Sequence, residues 1–258
     1  MDDHLADLDD VALAAALTRE AAQLAARMRA DGLRAQHKTS ISDVVTAADH
    51  AAEELVAGSL ARLRPHDGIV GEEGAEATST SGRTWVIDPV DGTYNFLSGL
   101  GTWCSALALR DASGLVLGAV HQPAVDEAWV GGRDLPTRLN GTPVGELADL
   151  PLAEVAMATY LHPAVLPDDS LRQPWLAAVS GAATVRMFGS GSCDLAAVAA
   201  GRIGVWAQQS VPAWDWLPGA ALVTAAGGRA EQVEVRGHVW SVAGRPTAVE
   251  QVIAALRS

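Results

Sequence analysis

Apolar and polar positions along this chain alternate between helical and strand-like rhythm. From Asp9 to Ala30, Ala and Leu recur among Arg and Glu with Gly32 beyond as a stop, which predicts a long amphipathic helix. A short polar stretch from Lys38 to Asp43 follows, and Val44 to Asp49 leads a second helix reaching about Leu63, with Pro65 past its end. Thr46 with Asp49 three residues on has the form of a capping box with Asp in the Glu role. Gly68 to Gly71 reads as a short buried strand that ends on Glu72-Glu73-Gly74, and the Ser/Thr-rich stretch Ala75 to Gly82 reads as a loop. A second apolar strand, Thr84 to Ile87, ends on Asp88-Pro89-Val90-Asp91-Gly92-Thr93, where Pro89 predicts a rigid corner and Thr93 the start of a helix.

Beyond this corner the pattern changes twice. Thr102 to Arg110 and Leu115 to His121 flank Asp111-Ala112-Ser113-Gly114 as a hairpin, and Glu127 to Val130 with the turn at Asn140-Gly141 predicts further antiparallel strands. From about Leu152 the chain alternates: strand Val155 to Tyr160, helix near Ser170 to Val179, strand Thr184 to Phe188, helix Cys193 to Ala200, strand Ile203 to Gln208. Trp214-Asp215 then opens an apolar helix closed by Gly227-Gly228, with Asp215 placed to cap it or to set a carboxylate at its N-terminal end; strands around Ala230 to Val242 and a last helix from Thr247 to Leu256 complete the chain. No internal repeat or disordered linker interrupts it. The change of rhythm suggests two parts, 1–150 and 151–258, packed together.

The 258 residues, 49% hydrophobic, can bury a large core. Lys+Arg 18 against Asp+Glu 31 leaves a net charge of −13, which argues against nucleic-acid or anionic-membrane binding and requires a local cation for any anionic substrate. Cys104 and Cys193 lack metal-binding spacing and read as reduced core residues. The acidic start Met1-Asp2-Asp3-His4 has no signal core and no apolar run reaches membrane-spanning length, so a cytoplasmic location is expected.

The candidate chemistry lies where strands end on acids. Asp-Pro-x-Asp-Gly-Thr alone also fits a surface turn. Two strands ending in carboxylates within a short distance along the chain fit a shared cleft better. Hard oxygen ligands beside a glycine and a helix start suit Mg²⁺ with a phosphate. Gly189-Ser190-Gly191-Ser192, joining a strand to a helix, is a weaker candidate for cradling substrate. No G-x-G-x-x-G follows a strand and no H-E-x-x-H occurs, which disfavours dinucleotide and zinc-hydrolase chemistry.

Asp49 after Val44-Val45-Thr46, Gly71-Glu72-Glu73, Asp88 through Phe96, and Trp214-Asp215 stand in the order found in the inositol monophosphatase family, which the chain resembles over most of its length. The resemblance implies an α/β (α+β) fold, the five-layered αβαβα sandwich shared with fructose-1,6-bisphosphatases, usually as a homodimer. It implies Mg²⁺, two or three ions per site. Glu72, Asp88 and the main-chain oxygen of Val90 would hold the first, and Asp88, Asp91 and Asp215 the second, with a weaker third near Glu72. It further implies Thr93, bonded to Asp49, as the group that orients and deprotonates a water, with Glu72 sharing that role. Substrate would meet Asp91, Gly92, Thr93, Ser190, Gly191, Gln208 and Asp215, and the Lys38 segment would be a mobile flap. Two metals about 3.5–4 Å apart suit in-line attack of water on a phosphomonoester.

Two departures stand out. Trp216-Leu217-Pro218 is bulkier than the family's usual small residues, which puts local packing in question. Gln208 stands where members acting on inositol or histidinol phosphates often carry Glu; an amide bonds hydroxyls but gives up the charge that would pair with an amine. The expected activity is hydrolysis of a small polyol phosphate such as inositol 1-phosphate. Rivals within the superfamily are histidinol phosphate, 3′-phosphoadenosine 5′-phosphate and sugar bisphosphates, and the rival of another class is a regulatory protein-binding member.

Overall fold

The computed structural model describes residues 5–32, 35–37 and 44–258. The segment Lys38 to Asp43, read above as a flap, lies outside the described residues. Helix α1 (Asp10–Ala30) begins where the Asp9 carboxylate accepts the Ala12 amide. Strands β1 (Ala35–His37) and β2 (Val44–Thr46) pair antiparallel ahead of α2 (Ala47–Leu63). The capping box at α2 is complete: Thr46 caps the helix and the Asp49 side chain accepts the Thr46 amide.

The next strands build the first sheet. These are β3 (Gly68–Gly71), β4 (Glu76–Ala77), β5 (Thr84–Asp91), and, after the short helix α3 (Thr93–Leu97), β6 (Cys104–Asp111), β7 (Gly114–Gln122), β8 (Glu127–Gly132), β9 (Leu135–Leu139) and β10 (Thr142–Pro143). They form eight strands in the order β10-β9-β8-β7-β6-β5-β3-β4, with β3 and β5 parallel. Two expectations are corrected here. The polar stretch after Gly74 contains a strand, because β4 caps the free edge of β3. Also, β5 does not stop at Ile87. It runs to Asp91 through an irregularity between Asp88 and Asp91, where Pro89 has no N–H to give the ladder and the Ser105 hydroxyl bonds its carbonyl instead.

The second sheet follows with β11 (Ala156–Tyr160), α4 (Asp169–Ser180), β12 (Thr184–Arg186), α5 (Gly191–Ala199), β13 (Val205–Gln209), α6 (Ala213–Ala225), β14 (Arg229–Val235), β15 (His238–Gly244) and α7 (Pro246–Leu256). Its order is β12-β11-β13-β15-β14, with β11 parallel to both neighbours. Strand β12 is shorter than the sequence pattern suggests, and Met187 and Phe188 after it are exposed.

Helices α1 and α2 cover one face of the first sheet, α5 and α6 lie between the sheets, and α4 and α7 cover the far face of the second. This is the αβαβα sandwich. Each layer boundary has its own apolar core: Leu13, Leu17 and Trp85 on the outside of the first sheet, Leu195, Trp206 and Leu222 in the middle, Val205, Trp240 and Val252 on the far side. Truncating one such buried Trp to Ala would cost about 3–5 kcal/mol. The bulky Trp216 is absorbed in the middle layer, stacked on Trp206 at 5.8 Å between centroids, and Pro218 is buried within α6. Both cysteines are buried and unbonded to each other by a disulfide. Among the described residues no helix is long and apolar enough to cross a membrane.

Candidate active site

The parallel pairing of β3 with β5 sets Gly71 opposite Ile87, so the two acid-bearing ends emerge side by side. The Glu72 amide donates to Ile87 O at 3.2 Å, which places Glu72 next to Asp88. From the first half of the chain a cavity of about 890 Å³ is lined by Glu72, Asp88, Val90, Asp91, Gly92 and Thr93. From the second half it takes Ser190, Gly191, Gln208 and Asp215. Asp49 lies behind this wall, fully buried, and reaches it through Thr93, whose hydroxyl is 3.0 Å from both Asp49 Oδ1 and Val90 O. Asp49 thus serves as helix cap and as hydrogen-bond acceptor at once.

Of the two places the sequence offers Asp215, helix cap or carboxylate near the helix's N-terminal end, the structure takes the second. Helix α6 starts earlier, with Pro212 at its cap, so Asp215 lies inside the first turn instead of capping it. Its carboxylate is thereby free to face Asp88 and Asp91, and one oxygen from each of the three lies within 4.8 Å of the others. Gly92 makes the tight corner between Asp91 and α3 possible. Its φ of +92° suits glycine, and a Cβ there would stand 3.1 Å from both Gly189 O and Thr102 O. Ser190 caps α5 by accepting the Cys193 amide, while the amides of Gly191 and Ser192 donate to the Asp91 carboxylate. Gly191, expected to meet substrate, lines the cavity, and its amide orients a carboxylate.

The electrostatics are those of crowded acids. Burial, reinforced by Glu72, Asp91 and Asp215, pushes the Asp88 carboxyl well above the usual range. Burial and the charge of Asp91 push Asp215 up to about 7. Asp91 is raised by burial against the opposing effect of its amide donors, and Asp49 by burial against its bonds to Thr46 and Thr93. Among the described residues no N–H or hydroxyl donates to either buried oxygen of Asp88, and the side chain within hydrogen-bonding reach is the Asp215 carboxyl. A hydrogen-bonded partner or a cation is what such a group needs, and hard anionic oxygens this close fit a divalent ion such as Mg²⁺.

Several contributing residues carry no local signal in the sequence. Glu53, buried one turn beyond Asp49 on α2, accepts the amides of Glu73 and Ala75 at 2.8 Å each and so holds the turn that presents Glu72. A Cβ at Gly71 would collide with the Glu53 carboxylate. Asn95 donates to Thr102 O and Phe188 O, tying α3 to the turn before Gly189. Asp194 of α5, buried with one oxygen unpartnered, also lines the cavity, as do Tyr160 and His162. An acid at helical spacing from Asp49, on a face that otherwise buries Ala and Val, is the one trace by which Glu53 could have been found.

The profile of the inositol monophosphatase family matches residues 5–256. The chain belongs to the inositol monophosphatase family. Membership makes it a phosphoric monoester hydrolase by class. It is 33% identical over 232 residues, 86% of each chain, to a protein named histidinol-phosphatase from Mycobacterium tuberculosis. It is also 33% identical over 218 residues, 84% of this chain and 82% of the other, to an inositol-1-monophosphatase of Rhizobium meliloti. Among solved structures it resembles the extragenic suppressor protein suhB of Bartonella henselae, with a TM-score of 0.82, 26% identity and coverage of 94% of this chain and 98% of that one.

Proposed function

We propose that this member of the family is a Mg²⁺-dependent phosphomonoesterase for a small polyol phosphate of the inositol 1-phosphate type. The observation that carries the reading is Asp88: a buried carboxylate that receives no N–H or hydroxyl among the described residues and faces two further carboxylates, Asp91 and Asp215. Glu72, Asp88 and Val90 O would hold one ion, and Asp88, Asp91 and Asp215 another. When bound, such ions lower the pKa of water and neutralise charge on the phosphoryl and leaving oxygens. The chain's own residues do the rest. Thr93, anchored to Asp49 and Val90 O, offers its hydroxyl oxygen to the attacking water and relays its proton towards Asp49. The tight corner at Gly92 lets a phosphate approach the main chain at Gly92 and Thr93.

Relatives bear both inositol-1-monophosphatase and histidinol-phosphatase names, and Gln208 favours the first chemistry, since a neutral amide offers no counter-charge to an ammonium. The family resemblance carries the further expectation of a cytoplasmic homodimer, which light scattering would test for its oligomeric part. The decisive assay is phosphate release with and without Mg²⁺, in the wild type and Asp88→Asn. Metal-dependent turnover lost in the variant supports the reading. Turnover that survives chelation or the substitution overturns it. Gln208→Glu should raise the rate on histidinol phosphate relative to inositol 1-phosphate, and an unchanged ranking would remove Gln208 from the specificity argument.

A further inference from the structure

The Thr93 hydroxyl is presented by a helix too short to hold itself. Helix α3 has 5 residues, from Thr93 to Leu97, and a helix of that length does not persist in water on its own hydrogen bonds. A small core, distinct from those between the layers, fixes it instead: Phe96 and Trp103 pack with Val90, Ala48, Ala22 and Ala25. Each part of the Thr93 arrangement rests on this core. Phe96 belongs to α3 itself, Val90 supplies one carbonyl that accepts the Thr93 hydroxyl, and Ala48 precedes Asp49, the other acceptor.

Arg29, half-buried in the last turn of α1, joins this core to the backbone of α3. Its guanidinium carbon stands 5.0 Å from the centre of the Phe96 ring and 5.4 Å from that of Trp103, and the two rings meet edge-to-face at 4.8 Å. Nη1 of the same group donates to the Phe96 carbonyl at 3.0 Å, near the C-terminal end of α3, where a cation is favoured. The Phe96 amide in turn donates to Gly92 O at 2.9 Å, so a single turn of backbone separates the carbonyl held by Arg29 from the corner at Gly92 and Thr93. A planar guanidinium can stack on rings and bond a carbonyl at once, whereas a lysine ammonium, a point charge, keeps only part of this. Arg29 is not among the residues that line the cavity, so it meets the reaction only through α3.

We propose that Arg29 is a positioning residue: by clamping Phe96 it fixes α3 and so sets the Thr93 hydroxyl between Asp49 and Val90 O. The proposal rests on the phosphatase reading of the cavity, in which Thr93 orients the attacking water. Arg29 belongs to none of the apolar cores between the layers, so its loss leaves the sandwich standing and frees α3 to shift. A misplacement of about 1 Å at reacting groups costs up to about 10²-fold in rate.

The test compares three variants on whichever ester the wild type hydrolyses best, at saturating ester and Mg²⁺. Arg29→Met keeps an unbranched stem and removes the charge and the donors; Arg29→Lys keeps the charge without the planar fork. Arg27→Met, at an exposed arginine in the same turn, controls for the loss of a positive charge. In Arg29→Met kcat should fall about 10–10²-fold, with part of the loss recovered in Arg29→Lys and none seen in Arg27→Met. A double-mutant cycle separates positioning from general loosening. In Thr93→Ala no hydroxyl is left to position, so adding Arg29→Met should lower kcat further by less than about twofold, whereas independent losses multiply. Hydrogen exchange gives a readout that needs no catalysis: the amides of Phe96, Ser98 and Leu100, bonded within and just after α3, should exchange faster in Arg29→Met, while those of α2 keep their protection. Losses that multiply in the cycle, unchanged exchange in α3, or an equal loss in Arg27→Met would overturn the proposal. If the wild type releases no phosphate that depends on Asp88 from any ester, the phosphatase reading itself fails and takes the proposal with it, whatever the exchange shows.

Discussion

The two walls of the cavity are built by opposite means. The acidic wall is compact in sequence: Asp88, Val90, Asp91, Gly92 and Thr93 come from one strand end and its corner, and β3 adds Glu72 through a parallel pairing to that same strand. The facing wall is assembled by register, with Tyr160 from β11 and Gln208 from β13 meeting only because two parallel strands align. Under the proposed function the first wall would carry chemistry that any phosphomonoester requires, and the second would touch what varies among esters. On the proposed reading, reaction class is stored locally and substrate choice in the fold; relatives of this chain bear both histidinol-phosphatase and inositol-1-monophosphatase names.

The largest effect that separates the walls should come from Thr93 and Asp49. Thr93→Ala and Asp49→Asn should each lower kcat about 10²–10⁴-fold on every ester alike, the range expected for losing a positioned proton acceptor. Asn can still accept the Thr46 amide, so Asp49→Asn should keep helix α2 and leave the melting temperature within a few degrees. A thermal melt beside the kinetics separates the two roles of Asp49. Loss confined to one substrate would place Thr93 on the specificity wall instead.

This division also explains what could be read from the sequence. The capping box and the acid-terminated strands were legible because helix caps and apolar runs are local signals, whereas the layered fold followed only from the family resemblance. The bulge at Pro89 was not, since a proline marks a break in the ladder without saying whether the strand resumes. Which of its two places Asp215 takes was not legible, because the helix cap, Pro212, has a fixed φ suited to entering a helix but no capping side chain. Glu53, Asp194, Tyr160 and His162 escaped notice because their roles depend on partners far along the chain.

A smaller effect belongs to the acidic wall alone. Glu53 touches neither the cavity nor substrate, yet it fixes the Glu72 turn through two amides. Glu53→Gln keeps one carbonyl acceptor and replaces the other with a donor facing an amide. The Mg²⁺ concentration for half-maximal activity should rise about tenfold, as for other residues that orient metal ligands. The ranking of esters should not move. A substitution that changed the ranking while leaving the Mg²⁺ requirement intact would show that the Glu72 turn serves the other wall.

The smallest effect is thermodynamic and involves no substrate. Without metal, Asp215 has a pKa of about 7 in the folded chain against 3.8 for the ordinary carboxyl, and Asp88 is shifted in the same direction. Between about pH 4 and pH 7 the native state then holds protons that the unfolded chain has lost, so unfolding releases them and stability must fall as pH rises through that window. Mg²⁺ requires the deprotonated carboxylates, so its binding competes with those protons and strengthens over the same range. The metal-free protein should therefore melt lower at pH 8 than at pH 5, and the rise in melting temperature on adding Mg²⁺ should be larger at pH 8. At an ion concentration 100 times its dissociation constant the stabilisation is about 2.7 kcal/mol, which for a chain of this size corresponds to roughly 5–10 °C. In Asp215→Asn both trends should shrink. A Mg²⁺ effect equal at the two pH values would mean that the buried acids are not where the ion binds, and the acidic wall would lose its role while the aromatic wall kept its shape.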